Sequence, residues 1–117
     1  MPRDRSGYLD RAAAELARAA VINGQGGPRA QRVLGSICDL TRLNMLRALR
    51  RTPLAASDLA QVVGRTRSAT SQHLRVLREA DAVVAERRGN VVHYRLGDTA
   101  SARVLADICE AFDRLAA

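Results

Sequence analysis

Lysine and tryptophan are missing altogether, aromatic residues make up 3% of the sequence, and there are two cysteines. With so few rings, the core has to be built from leucine, valine, isoleucine and alanine. Two cysteines 71 positions apart form neither a disulfide scaffold nor zinc-finger spacing, which points to a reduced, cytoplasmic setting. No apolar run approaches the roughly 18 residues that a membrane-spanning helix needs, so no membrane partner is expected. The stretch MPRDRSGYLDRAAAELARAA carries acids and lacks an apolar h-region, so no secretory signal is expected either. What is present is a globular mix, 47% hydrophobic and 26% charged, and 117 residues fit a single domain, 1–117.

All 19 basic residues are arginines, and the net charge of +7 is unevenly spread. Residues 42–88 hold ten arginines against Asp58, Glu79, Asp81 and Glu86, whereas residues 1–41 carry +2 and residues 89–117 carry −1. A cationic middle between nearly neutral ends attracts polyanions, nucleic acid first among them. Composition alone leaves a solvated, arginine-rich surface as the competing explanation, so the order of elements inside the block has to decide.

Over residues 8–22, Leu9, Ala12, Ala13, Leu16 and Ala20 recur at a helical period, and NGQGGP then reads as a loop. A second helix carries Val33, Leu34 and Ile37. Asp39 is placed to cap a third, whose stripe is Leu43, Leu46 and Leu49 and which Pro53 closes. Residues 57–80 hold a short helix ending at Gly64, in the position of a C-cap glycine, and a longer one capped by Thr66. The inward stripe of that longer helix is expected at Ala69, His73 or Leu74, and Leu77. At 83–96 the period becomes that of strands, with Gly89-Asn90 as the hairpin tip. Residues 99–116 return to helix, with Leu105, Ile108, Phe112 and Leu115 spaced 3, 4 and 3 as a helix–helix seam requires. A short helix, a tight glycine turn and a longer polar-faced helix make a helix-turn-helix, and the basic hairpin after it makes a wing.

These residues resemble a known family. ICDLTRLNMLRAL is similar to the LADPTRLRIL signature of the ArsR/SmtB winged-helix repressors, with Leu40 where the family usually has proline. DLAQVVGRTRSATSQHLRVLREADAVVAERRGNVVHYRL resembles their helix-turn-helix and wing, and the S-x-H-L-x-x-L core is present as Ser71, His73, Leu74 and Leu77. The likeness spans about residues 30–98. It implies a mainly α fold with one β-hairpin, a winged helix-turn-helix with N- and C-terminal dimerisation helices at 8–22 and 99–116. It also implies a homodimer that binds an inverted repeat in double-stranded promoter DNA and is released by an inducer. On that expectation the subunit interface draws on Leu9, Leu16, Leu105, Ile108, Phe112 and Leu115.

In such a motif the start of the second helix faces base edges, which nominates Arg67, Ser68, Thr70, Ser71 and Gln72. Gln72 has the chemistry to pair bidentately with adenine and Arg67 with guanine. Thr66 and Ser71, with the helix N-terminal amides, suit phosphate, although Thr66 and Ser68 serve equally as plain caps. Arg75 and Arg78 suit either backbone contact or a solvated face. On the wing, Arg87, Arg88 and Asn90 are the candidates for phosphate or the minor groove. His73 joins the candidate set, but within the resemblance it more often fixes the helix against its neighbours. His93 reads as a half-buried strand residue.

The metal-sensing sites that the resemblance brings to mind are not intact. The thiol-bearing stretch is PLAASDL here, with Ala55 and Ser57 in place of the thiols, and the last-helix ligand positions read Asp98, Ala100, Ala111 and Arg114. No cofactor is expected, since soft metals need thiolate and borderline ones imidazole. Two-thiol sensors of the family would place their cysteines near Arg47 and Asp113. Cys38 and Cys109 remain as a candidate thiol switch or inducer site, against the plainer role of apolar filler.

An enzyme is not expected, because no nucleophile or acid–base group has a recognisable oriented partner. Two alternatives stay open. One is a winged-helix module for protein contact, the other a DNA-binding protein without an inducer. RNA is disfavoured by the scarcity of stacking aromatics.

Overall fold

A computed structural model describes residues 2–3, 5, 7–21 and 27–116, and the chain divides into two compact units, Met1–Ala30 and Gln31–Ala117. In the first unit, helix α1 spans Arg11–Arg18 and buries none of its side chains. It is shorter than the expected 8–22. Asp10 adopts an extended backbone and its carboxylate accepts from the Ala13 amide at 3.0 Å, so the helix begins only after it. Leu9 therefore precedes the helix. Arg18 lies over the Tyr8 ring, 5.3 Å from its centroid, and donates to the Tyr8 hydroxyl. Residues 22–26, with Ile22 and most of the expected loop, lie outside the described residues. Gly27 and Pro28, expected to close that loop, instead form the first turn of α2 (Gly27–Ile37), where a missing proline N–H costs nothing.

In the second unit, α3 (Leu40–Leu49) starts at Asp39, whose carboxylate accepts from the Arg42 amide at 3.1 Å. Its buried side chains are Thr41, Leu43, Met45, Leu46 and Leu49. A two-residue strand, β1 (Leu54–Ala55), follows and was not anticipated. It pairs Leu54 with Tyr94 and Ala55 with His93. Helix α4 (Ala56–Val63) ends at Gly64 with φ +68°, the left-handed cap that a side chain would strain. Thr66 then opens α5 (Arg67–Glu79), its hydroxyl accepting from the Ala69 amide at 3.0 Å.

Strands β2 (Val83–Arg88) and β3 (Val91–Leu96) form the expected hairpin, with Arg88 opposite Val91 and a two-residue tip at Gly89-Asn90. The sheet order is β1-β3-β2, all antiparallel. Helix α6 (Ala100–Ala116) closes the unit. Thr99 ties it down, donating to the Asp81 carbonyl at 2.7 Å and accepting from the Ala102 amide at 3.0 Å.

The core joins α3, α4, α5 and α6 through Met45, Leu46, Leu59, Leu74, Leu77 and Leu105, each no more than 2% exposed, and β2 adds the buried Val83. Two expectations are corrected here. Leu105 was assigned to a subunit seam but is fully buried in the chain's own core, and Ile108 packs against the same cluster. A 3-4-3 stripe does not distinguish a helix covered by its own chain from one covered by a partner. Along α5 the inward stripe is Thr70, Leu74 and Leu77, so Thr70 is core and not a reader of base edges.

Candidate nucleic-acid interface

Helix α5 has two chemically distinct sides. Thr70, Leu74 and Leu77 anchor one of them in the core, at spacings of 4 and 3. That burial turns the other side outward, where Arg67, Ser68, Ser71, Gln72, Arg75 and Arg78 are all exposed. Arg67 and Arg78 make no ion pair among the described residues, while Arg75 donates to Glu79 at 3.2 Å. Thr66 caps the helix and directs its first amides towards the same end. The result is a polar, cationic strip on a rigid helix, sized for a major groove.

The wing adds a second cationic surface. Arg87, Arg88, Gly89 and Asn90 are exposed at its tip. Arg87 donates to the Gly89 carbonyl at 3.3 Å, and Glu86 lies 3.8 Å from Arg88 and 3.2 Å from Arg95. One carboxylate against three guanidiniums leaves the hairpin positive. Asn90 sits in the tip that Gly89 makes possible with φ +63°.

His73 was in the candidate set, but its ring is half-buried and Nδ1 lies 3.3 Å from Nη1 of Arg42. Since a guanidinium only donates, Nδ1 is the acceptor and Nε2 carries the proton. The ring thus ties α5 to α3. The side chain that sequence reasoning passed over is Arg42 itself. It also donates to the carbonyls of Gly35 at 2.9 Å and Ser36 at 3.0 Å, so one guanidinium fastens the end of α2, the start of α3 and the middle of α5. Its amide holds the Asp39 carboxyl below the ordinary range, with the charge of the Arg42 guanidinium adding to the effect. Arg65 completes the frame, donating from the α4–α5 turn to the Thr41 hydroxyl at 3.1 Å. The available signal was the TR pair of the DLTRL stretch, quoted for resemblance without a role.

Away from this face, Arg47 Nη2 lies 2.6 Å from Asp113 Oδ1, and Arg50 reaches the other oxygen of Asp113 at 3.4 Å and Glu110 at 3.8 Å. The two positions at which two-thiol sensors would carry cysteines are therefore joined here by an ion pair between α3 and α6. Cys38 is exposed between α2 and α3, whereas Cys109 is fully buried and burial pushes its thiol pKa up. The positions that the resemblance assigns to metal ligands carry mostly side chains without ligand atoms. Ala55 lies in β1 and Ser57 in the first turn of α4, and of the last-helix positions Asp98, Ala100, Ala111 and Arg114 only Asp98 bears a ligand side chain. His93 is half-buried on β3.

A helix held at its inner face with a bare cationic outer face, followed by a basic hairpin, defines a winged helix-turn-helix DNA-binding protein. The chain matches the family described as "Bacterial regulatory protein, arsR family" over residues 39–83. It is 37% identical over 87 residues to the HTH-type transcriptional regulator NmtR of Mycobacterium tuberculosis, covering 74% of this chain and 72% of that protein. It is 30% identical over 67 residues to the transcriptional repressor SdpR of Bacillus subtilis, covering 57% and 74%. Among solved structures, the homodimeric winged helix-turn-helix DNA-binding domain Mb0332 from Mycobacterium bovis superposes with a TM-score of 0.66 and 26% identity, covering 92% of this chain and 90% of that one. This chain belongs to the arsR family of bacterial transcriptional regulators. No described helix is long and apolar enough to cross a membrane.

Proposed function

We propose that the protein is a homodimeric repressor that binds an inverted repeat in promoter DNA, works in the cytoplasm, performs no catalysis and is released by an inducer. The observation that carries this reading is the two-sidedness of α5: Leu74 and Leu77 locked in the core, with Arg67, Ser68, Ser71 and Gln72 free on the opposite side. Gln72 and Arg67 read base edges, Ser68 and Ser71 with the capped N-terminus take phosphate, and Arg87, Arg88 and Asn90 grip the backbone from the wing. Large apolar side chains stand exposed on α6 at Phe112 and Leu115, and in the first unit at Leu9 and Leu16. A second copy covers them and sets two recognition helices roughly 34–36 Å apart, one turn of DNA. Cys109 is a core filler and Cys38 a surface thiol, rather than two halves of a switch.

Fluorescence anisotropy on duplexes from upstream of the chain's own gene, against random duplex and over a salt series, tests this. Sequence-selective binding with a steep salt slope and a stoichiometry of two chains per site is expected. Weak, sequence-blind binding on every upstream fragment would return the fold to a protein-contact role.

A further inference from the structure

One cleft of the second unit lies apart from the α5–wing face. It has a volume of about 720 Å³ and is lined by Arg47, Arg50, Arg51, Val62, Val63 and Asp113 among others. That is within the range of small-molecule sites, roughly 300–1,000 Å³. Its charge is unbalanced, with three guanidiniums facing one carboxylate. Arg51 makes no side-chain hydrogen bond or ion pair among the described residues. Arg47 and Arg50 share the single carboxylate of Asp113. Oδ1 of Asp113 sits 2.6 Å from Arg47, and Oδ2 accepts from Arg50 at 3.4 Å, so one carboxylate is divided between two guanidiniums and leaves a net positive charge. Glu110, the other acid in reach, is 3.8 Å from Arg50 and mostly exposed. Beside these cations stands an apolar wall from α4, Val62 and Val63, of which Val62 is 62% exposed.

A guanidinium fork is matched by a carboxylate that approaches in its plane. The unmet demand here is therefore for a second anionic head group, and the valine wall suits a short apolar body attached to it. We propose that this cleft binds a small organic carboxylate, whose head group takes Arg51 and displaces Asp113 from Arg47 and Arg50. Displacement releases the tie between α3 and α6. Because α3 holds α5 through Arg42 and His73, occupation of the cleft lowers DNA affinity. This last consequence rests on the DNA-binding reading, whereas the site itself does not.

The test uses the full chain and sodium benzoate, with sodium chloride at matched ionic strength as control. Arginine Nε–Hε and valine methyl NMR signals are followed during titration. Saturating shifts confined to Arg47, Arg50, Arg51 and Val62 are expected, with a Kd on the order of 0.1–1 mM. Arg51→Ala, a change at an exposed and unpaired side chain, should weaken binding at least tenfold and leave the thermal midpoint in place. Asp113→Asn should tighten binding several-fold, because it removes the competing carboxylate. Linear shifts spread equally over Arg67, Arg78 and Arg88 would overturn the site, as would unchanged binding in both variants. Larger movement of these signals with duplex DNA than with benzoate would reassign the cluster to phosphate contact. Benzoate should also weaken operator binding by wild type but not by Arg51→Ala. Saturable benzoate binding with unchanged DNA affinity would overturn the regulatory half. A chain that binds benzoate but no DNA would keep the site and defeat the DNA-binding reading alone.

Discussion

Arg67 and Arg78 on α5 have no acidic partner among the described residues, whereas Arg47 on α3 and Arg50 at its C-terminal cap share Asp113 on α6, and Arg50 also reaches Glu110. All four are the same side chain on neighbouring helices of one cationic stretch. On α5 the acids are few, and the helix presents bare positive charge to a polyanion. On α3 they arrive from a helix more than sixty residues later in the chain, and the charge goes into holding two helices together. Arg42 and Arg65 belong to a third class, hydrogen-bonded into the frame that orients α5. Net charge therefore overstates the reading surface, since part of the +7 is occupied internally.

The contrast between an internally engaged side and a free side can be broken by mutation. Leu105→Ala should have the largest effect, destabilising the chain by roughly 2–5 kcal/mol in urea unfolding, because a fully buried side chain leaves a cavity in the core. A loss below about 1 kcal/mol would hand α6 back to the subunit seam. Gln72→Ala, on the free side, should leave stability unchanged yet cost roughly 1–3 kcal/mol of DNA affinity at one base position. Equal losses on operator and random DNA would show that another residue is the reader.

Asp39→Ala removes a helix cap and should cost about 0.5–2 kcal/mol. Its carboxyl is held below the ordinary value of 3.8 in the folded state, so its contribution is full above that pH and fades as pH falls through the lowered native value. Acid unfolding curves of Asp39→Asn, which keeps a capping oxygen but cannot titrate, should lose that acid limb. A wild-type-like curve would remove the carboxylate from the account. Arg88→Ala should weaken binding about equally on all sequences and lower the salt slope by roughly one phosphate contact. The smallest effect is expected at Glu79→Ala. Its pair with Arg75 is exposed at both ends, so stability should change by less than about 0.5 kcal/mol, while non-specific DNA binding rises slightly as Arg75 is freed. A stability loss above 1 kcal/mol there would mean that the pair is structural.

Much of the architecture was legible in the chain. Asp39, Gly64 and Thr66 act within three or four residues of themselves, so their caps lie where their chemistry put them. The hairpin tip was legible for the same reason, since a two-residue turn between strand-patterned runs leaves little choice of register. Strand β1 was not legible. Two residues carry no period, and Leu54 and Ala55 become a strand only because β3 offers them an edge. Thr70 was misplaced because a threonine among serines reads as polar, and its depth follows from the phase set by Leu74 and Leu77. His73 could not be assigned without its partner, which stands thirty-one residues earlier.

The helix–turn–helix–wing order and the concentration of arginine over residues 42–88 are written in the sequence, because caps, turn residues and hydrophobic period act over a few residues. Which arginines remain free to meet DNA, that Leu105 is core, and that Arg42 binds three elements at once are settled only in the folded arrangement. A guanidinium pairs with whatever acceptor lies within about 3–4 Å, and packing, not distance along the chain, brings Asp113 to Arg47 and His73 to Arg42.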